Sequence, residues 1–191
     1  VQVEDGWITL QAGLEAGENV RRAGEDLPEG HEAVAAGRSL DARQIALVAA
    51  LGIGVVTVVR PVRVGILSTG SELRPFGEAL APGDLYDSNR PMLAALLQRP
   101  IVALEDLGSV PDDPRQLAAR LGQCADQDLL IASGGVSVGE ADWVRPVLAE
   151  MGHLDFWRVA IKPGRPLAFG RLGRSWFLGL PGNPVAAYVT V

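Results

Sequence analysis

Cysteine is almost absent from the sequence, since Cys124 is the only one among 191 residues. A single cysteine excludes an internal disulfide and is typical of a reducing compartment, so we expect a cytoplasmic protein. Cys124 lies in a helix-like segment, where packing is a more usual role for it than nucleophilic catalysis. Histidine is scarce as well, and His31 and His153 are too far apart for a His/Cys zinc pattern.

Long apolar runs and excess positive charge are also missing. No apolar stretch reaches the roughly 20 residues that a membrane-spanning helix needs. The formal net charge of -6 argues against non-specific binding to nucleic acid or to anionic membranes. With 48% hydrophobic and 21% charged residues, the composition predicts a soluble globular protein that binds neither nucleic acid nor membrane.

Both ends of the sequence predict a fragment of a longer protein. The chain opens at Val1 without a methionine or a targeting segment. It stops within the apolar run Val185 to Val191, which carries no signal for the end of a helix.

The first 60 residues predict a small mixed α+β segment. Residues 1–10 are typical of a strand pair with its turn at Asp5-Gly6, and residues 11–40 of irregular structure or edge strands. Asp41 is a suitable N-cap for a helix that runs to Leu51. Residues 55–59 favour a short strand.

Strands and helices alternate from Pro61 onward. The predicted strands are residues 62–67, 101–107, 129–132, 156–161, 167–169 and 176–180. The predicted helices are residues 89–97, 114–124 and 140–151. This alternation predicts an α/β fold with a mainly parallel sheet that carries helices on both faces.

Three loops of small and acidic residues follow the predicted parallel strands, at 68–72, 110–113 and 133–135. Because ligands bind beyond the carboxyl ends of such strands, we expect the loops to form one site. Glu72, Asp112 and Asp142 would bring carboxylates to it, as Mg²⁺ requires. The alternatives are unrelated surface charges, a first-turn helix acid at Glu72, and helix capping by Asp112 or Asp113, of which we favour Asp113 as the cap.

The segment from Asp128 to Asp142 is the most informative one. An apolar strand, the turn Ser133-Gly134-Gly135 and acids at a predicted helix start resemble an anion-binding geometry. The acids, however, repel a bare phosphate, and a metal ion or a donor group on the ligand would resolve that conflict.

Two further segments carry polar chemistry. Arg158, Lys162 and Arg165 lie within eight positions, and rigid cations suit a phosphate or another oxyanion, although a solvated turn is the alternative. Pro181-Gly182-Asn183-Pro184 predicts a rigid turn into a helix. Asn89 either caps the helix that follows or reaches the ligand.

Together these residues resemble the MoeA/gephyrin-E family of molybdopterin molybdenumtransferases. The resemblance extends over essentially the whole chain, and the run Ser-Gly-Gly-Val-Ser-Val-Gly-Glu-Ala-Asp at 133–142 is highly specific. The other matching stretches are residues 19–26, 68–73, 86–90, 112–114, 161–166 and 180–184.

The resemblance implies insertion of molybdate into adenylylated molybdopterin, with Mg²⁺-dependent release of AMP, by a multi-domain homodimer. It also implies the end of an inserted β domain at residues 1–18, part of a linking domain at 19–60 and a molybdopterin-binding α/β domain at 61–191. By the same resemblance, we expect the C-terminal β domain of the family to lie outside this sequence. Positions that the family uses are matched by Asp26, Glu72, Asp112, Asp142, Lys162, Pro181 and Pro184.

We expect catalysis to involve Asp26, Glu72, Asp112, Asp142 and Lys162, with the metal at Glu72, Asp112 and Asp142. Asp26 would act from the other subunit or another domain. The substrate pocket is expected to involve Thr69, Gly70, Asn89, Ser133, Gly134, Gly135, Ser137, Arg158, Arg165, Pro181, Gly182, Asn183 and Pro184. The sequence departs from the family at Ser71, where an acid or amide is usual, and at Arg158 and Arg165, where lysine is common.

Two other functions remain open on the sequence alone. One is a non-catalytic module that binds a pterin or organises other proteins. The other is adenylyl transfer to molybdopterin, which would consume ATP.

Overall fold

The structure, a computed structural model, describes residues 2–9, 12–13, 15–124, 126–136 and 143–191, without the side chains of residues 2, 3 and 157. The chain divides into two compact units, residues 1–58 and 59–191. None of the described helices is long and apolar enough to cross a membrane.

The first unit contains one hairpin and one helix within its described residues. Strands β1 (Gln2–Glu4) and β2 (Trp7–Thr9) pair antiparallel, as predicted. Asp5 and Gly6 both have positive φ angles, 47° and 79°, which is the pattern of a type I′ hairpin turn. Helix α1 (Ala42–Ala50) begins after the predicted cap Asp41, whose side chain accepts a hydrogen bond from the backbone N–H of Arg43.

The predicted strand at residues 55–59 is wrong. No strand is assigned to these residues, and Val55 is 89% exposed. Valine favours strands because it packs on a neighbouring sheet surface, and at residues 55–59 the structure assigns no pairing strand.

The second unit holds a six-stranded sheet with four helices. Its eight strands are β3 (Val62–Thr69), β4 (Leu73–Arg74), β5 (Leu85–Tyr86), β6 (Val102–Val110), β7 (Leu129–Ser133), β8 (Gly152–Arg158), β9 (Pro166–Leu172) and β10 (Ser175–Leu180). Its helices are α2 (Asn89–Leu97), α3 (Pro114–Gln123), α4 (Val144–Met151) and α5 (Pro184–Thr190). Strands β4 and β5 form a separate two-stranded pair.

The sheet order is β6-β3-β7-β10-β9-β8. The first four strands run parallel, and β9 and β8 are added antiparallel at one side. Two separate apolar clusters pack on this sheet. One joins it to α3 and α4 around Phe177, and the other joins it to α2 and α5 around Ile131. The predicted α/β class is confirmed, since successive strand residues face opposite layers of helix.

Several predicted boundaries need correction. Helix α4 begins at Val144 with Trp143 as its N-cap residue, and the predicted start at Glu140 lies outside the described residues. Strand β8 begins at Gly152 and ends at Arg158, whereas the prediction placed it at residues 156–161. Strands β3 and β6 extend through Thr69 and Val110, so Ser68 and Thr69 belong to a strand and not to a turn.

Asp128 fixes the amino ends of two central strands. Its carboxylate accepts hydrogen bonds from Arg60 Nη2 (2.7 Å) and from the backbone N–H of Arg63 (2.8 Å). Its own backbone N–H donates to the carbonyl oxygen of Arg63 at 2.8 Å. The side-chain hydrogen bond from Arg60, followed by the Arg63 N–H, holds the pKa of Asp128 well below its ordinary range.

This arrangement predicts an acid-sensitive stability. Because the pKa of Asp128 is lower in the folded than in the unfolded chain, its stabilisation is fully present above the ordinary aspartate pKa. It is lost as the pH falls below that value toward the folded pKa. We expect the Asp128→Asn variant to show a weaker decrease of stability between about pH 5 and pH 2 than the parent chain, by urea unfolding at each pH. An equally steep decrease in both proteins would contradict this role of Asp128.

Candidate substrate cleft at the carboxyl ends of the parallel strands

The four parallel strands end at the same edge of the sheet. Thr69 of β3 lies opposite Val110 of β6, and Ser133 of β7 lies opposite both Ser68 of β3 and Leu180 of β10. A cleft of about 440 Å³ opens there, which suits a small-molecule ligand. Its lining consists of Ser68, Thr69, Gly70, Glu72, Leu73, Leu85, Tyr86, Asp87, Ser88, Asn89, Asp112, Ser133, Gly134, Gly135, Gly182 and Pro184.

The turn after β7 is built from glycine because it packs directly on the end of β3. Gly134 has a φ angle of +89°, and a Cβ atom there would lie 2.3 Å from the carbonyl oxygen of Thr69. A Cβ atom on Gly135 would lie 2.7 Å from Thr69 Oγ1. The backbone N–H of Gly134 donates to the carbonyl oxygen of Leu180 at 3.1 Å. These contacts hold the ends of three strands together at the cleft.

The loops after β3 and β6 are joined by a reciprocal pair of hydrogen bonds. The backbone N–H of Ser71 donates to Asp112 Oδ2 (3.0 Å), and the backbone N–H of Asp112 donates to Ser71 Oγ (2.9 Å). The short Ser71 side chain therefore holds Asp112 at the cleft.

Asp113, and not Asp112, caps helix α3. Asp113 Oδ1 accepts from the backbone N–H groups of Arg115 (2.8 Å) and Gln116 (2.9 Å). The backbone N–H of Gln116 contributes most to holding the pKa of Asp113 below its ordinary range. This confirms the division of roles that the sequence favoured.

Glu72 lies at the cleft and does not begin a helix. Strand β4 follows it directly, so the alternative of a first-turn helix acid is wrong. A Cβ atom placed on Gly70 would lie 2.7 Å from Glu72 Oε2, which shows that the carboxylate folds over the Gly70 backbone. Glu72 and Asp112 thus both present carboxylates to one cleft.

Asn89 connects three parts of the cleft floor. Its Nδ2 donates to Ser133 Oγ (2.7 Å) and to the carbonyl oxygen of Gly182 (2.8 Å), although it is the first residue of α2. Because the Gly182 carbonyl can only accept, the amide orientation is fixed and Oδ1 is left as an acceptor. Asn89 does not act as the cap, since Ser88 occupies that position.

Three buried polar atoms around this floor have no hydrogen-bond partner among the described residues. They are Ser68 Oγ, Thr69 Oγ1 and Asn89 Oδ1. Buried polar atoms in folded proteins are normally satisfied, and those that are not often mark a place for a ligand or water. All three residues line the cleft.

The three predicted cations do not line the cleft within the part of the chain that the structure describes. Arg158 ends β8, and Lys162 and Arg165 lie in the loop that leads to β9; all three are exposed. Because Ala168 of β9 lies opposite Gly179 of β10, this loop is at the same end of the sheet as the cleft.

The Pro-Gly-Asn-Pro turn contributes mainly backbone to the site. Gly182 and Pro184 line the cleft, and the carbonyl oxygen of Pro181 accepts from Ser133 Oγ at 3.4 Å. Asn183 instead caps α5, since its Oδ1 accepts from the backbone N–H of Val185 at 2.9 Å. Pro181 and Asn183, which were expected in the substrate pocket, are not part of the cleft lining.

Three further predicted residues, besides the cations and Pro181 and Asn183, are not placed at the cleft. Asp142 and Ser137 lie outside the described residues. Asp26 belongs to the first unit, where Arg21 Nη1 is 2.6 Å from its Oδ2. The described residues contain no group of three acidic, histidine or cysteine side chains that could hold a metal ion. The three-acid metal site therefore stays a prediction.

Sequence reasoning missed Asp87 and Arg90. Asp87 lines the cleft with only 4% of its surface exposed, and Arg90 Nε lies 2.8 Å from its Oδ2. Arg90 Nη1 also contacts Asp106 Oδ1 at 2.7 Å. Asp87 and Arg90 carry opposite charges three positions apart at the start of a helix, and this spacing could have predicted their ion pair.

Comparisons with known proteins show which family the chain belongs to. A family model described as "Probable molybdopterin binding domain" matches residues 65–191, which include every residue that lines the cleft. The chain belongs to this molybdopterin-binding domain family. The resemblance to MoeA proteins is confirmed as well.

Two curated relatives and one solved structure support the MoeA relationship. A molybdopterin molybdenumtransferase from Haemophilus influenzae is 45% identical over 98% of this chain and 46% of its own length. One from Synechococcus elongatus is 38% identical over 98% of this chain and 48% of its own length. A MoeA protein from a Pyrococcus species superposes with a TM-score of 0.77 at 32% identity, covering 87% of this chain and 42% of that one. The chain therefore spans about half the length of the curated relatives it matches.

Proposed function

We propose that this chain supplies the substrate-binding α/β domain of a molybdopterin molybdenumtransferase, which inserts molybdate into adenylylated molybdopterin and releases AMP. The observation that carries this proposal is the cleft itself. It joins the carboxylates of Glu72 and Asp112 to a glycine turn and to buried, unpaired polar atoms at the carboxyl ends of parallel strands. The names of its relatives support the same activity.

The donor set of the cleft fits Mg²⁺, which binds carboxylate oxygens together with substrate phosphates and water. Glu72 and Asp112 would hold the ion in this proposal, with Asp142 as the expected third acid. When bound, Mg²⁺ would make the phosphate that joins AMP to molybdopterin a better electrophile. The hydrogen bond from Ser71 commits one oxygen of Asp112, so its other oxygen is the one available to a metal ion.

Other residues of the chain would shape the cleft and bind the oxyanions of the substrates. The Gly134-Gly135 turn lets the end of β7 pack on Thr69 of β3, and Asn89 and Ser133 position the cleft floor. Lys162, Arg158 and Arg165, on the neighbouring loop, would hold molybdate or the phosphate of the pterin. The proposal also includes a cytoplasmic homodimer, as the resemblance implies, and the single cysteine is in keeping with a reducing compartment.

Release of AMP from adenylylated molybdopterin tests the proposal, with Mg²⁺ and molybdate varied independently in the protein that carries this domain. We expect Glu72→Gln and Asp112→Asn each to lower the rate about 100-fold or more, because each removes a charge that holds the ion. Glu150→Gln is the matched control, since Glu150 is exposed on α4 and does not line the cleft. Unchanged Mg²⁺ dependence in both cleft variants would contradict the metal role.

The same assay separates the other two functions. A pterin-binding scaffold would bind molybdopterin without any turnover that depends on molybdate and Mg²⁺. An adenylyltransferase would consume ATP and would not release AMP from the adenylylated substrate.

A further inference from the structure

The segment between β3 and α2 forms one wall of the cleft, and we call residues 73–86 the arm. Its two ends pair as the short parallel strands β4 and β5, with Leu73 opposite Leu85 and Arg74 opposite Tyr86. Arg74 Nη2 contacts Asp84 Oδ1 at 2.8 Å. The backbone N–H of Leu85 donates to the carbonyl oxygen of Glu72 at 2.8 Å. These contacts fix the base of the arm beside the carboxylate of Glu72.

Tyr86 is held at both its hydroxyl group and its ring. The hydroxyl donates to the carbonyl oxygen of Glu78 at 2.6 Å, and the ring centroid of Phe76 lies 6.1 Å away at a tilt of 37°. Despite these restraints Tyr86 is 41% exposed, and Leu85 beside it is 57% exposed. Both residues belong to the lining of the cleft.

A fixed but exposed aromatic ring in a cleft differs from an ordinary surface tyrosine. Isolated exposed apolar residues are common and need no explanation. Here, however, Leu73, Leu85 and Tyr86 belong to a cleft lining whose other members are polar, glycine or proline. A ligand that fits this cleft has one apolar face and polar edges, as a planar nitrogen heterocycle does.

We propose that Tyr86 is the platform on which the planar heterocycle of the substrate stacks. This inference rests on the proposed function and deepens it, because adenylylated molybdopterin carries two such rings, a pterin and an adenine. The ring face would pack on the arm, and the polar edge would meet acceptors such as Asn89 Oδ1. The hydrogen bond to Glu78 keeps the platform in place before the ligand arrives.

Binding of three probes to the chain and its variants tests the platform. The probes are pterin, AMP and ribose 5-phosphate, the last being AMP without its heterocycle. We expect Tyr86→Leu to weaken binding of pterin, of AMP or of both about tenfold, the loss of one aromatic stacking contact. Tyr86→Phe keeps the ring, so it should retain affinity within about threefold. The probe that is weakened identifies which ring lies on the arm.

The binding results distinguish failure of the Tyr86 platform from failure of the proposed function. Normal affinity of Tyr86→Leu for both pterin and AMP would overturn the platform while leaving the proposed function intact. An equal loss for ribose 5-phosphate would also overturn it, because the variant would then have damaged the cleft as a whole. If the parent chain bound neither pterin nor AMP, the platform and the proposed function would both be wrong. Thermal unfolding of each variant checks that the fold is retained.

Discussion

Replacing Gly134 by alanine should lower the free energy of unfolding by about 3 kcal/mol or more and abolish ligand binding. The new Cβ atom would lie 2.3 Å from the carbonyl oxygen of Thr69, at a φ angle of +89°. That contact is with backbone, so no side-chain rotation relieves it. The carboxyl ends of β3 and β7 would have to separate. Because these ends form the base of the cleft, the ligand would lose its binding site.

Gly77 provides a matched control for this substitution. Its φ angle is +87°, close to that of Gly134, but a Cβ atom there has no neighbour within 4 Å. Gly77→Ala should therefore cost only the backbone strain, about 1 to 2 kcal/mol. Urea unfolding of both variants measures the difference. Equal losses would show that the contact with Thr69 relaxes and does not constrain the cleft.

Replacing Arg90 by methionine should destabilise the second unit by about 3 kcal/mol. The side chain of Arg90 is 18% exposed and that of Asp87 is 5% exposed, with 2.8 Å between Nε and Oδ2. Methionine fills similar space but leaves a buried carboxylate without its cation. We expect weaker ligand binding as well, because Asp87 lines the cleft.

A second substitution tests whether the unpaired charge causes the loss. Combining Arg90→Met with Asp87→Asn removes both charges and should recover a large part of the stability. Asp106→Asn removes only the outer partner of Arg90, whose side chain is 57% exposed, and should have a small effect. If the double variant were no more stable than Arg90→Met, loss of packing and not of pairing would explain the result.

Local signals explain why much of the fold could be predicted. The observed bounds of α2 equal the predicted residues 89–97, because a polar start and an apolar stripe agree there. Asp113 and Pro114 identify the start of α3 without any tertiary information. The loops at the carboxyl ends of the strands meet as predicted, since parallel strands place these ends on one edge.

Non-local contacts explain what could not be predicted. Strands β4 and β5 have two residues each, too few for a periodic pattern, and so the arm and the exposed face of Tyr86 were missed. Residues 55–59 have strand propensity, yet the structure assigns them no pairing strand. Helix α4 follows Trp143, which makes no side-chain capping hydrogen bond, so its start lacks the local signal that Asp113 gives for α3.

The side chain of Asn89 makes the cleft floor a single mechanical unit. One carboxamide joins the start of α2, the end of β7 through Ser133, and the Pro-Gly-Asn-Pro turn through Gly182. None of these segments can move away without breaking at least one of these two hydrogen bonds. Local opening of the floor is therefore cooperative, so that hydrogen exchange at its backbone amides would report one event and not three.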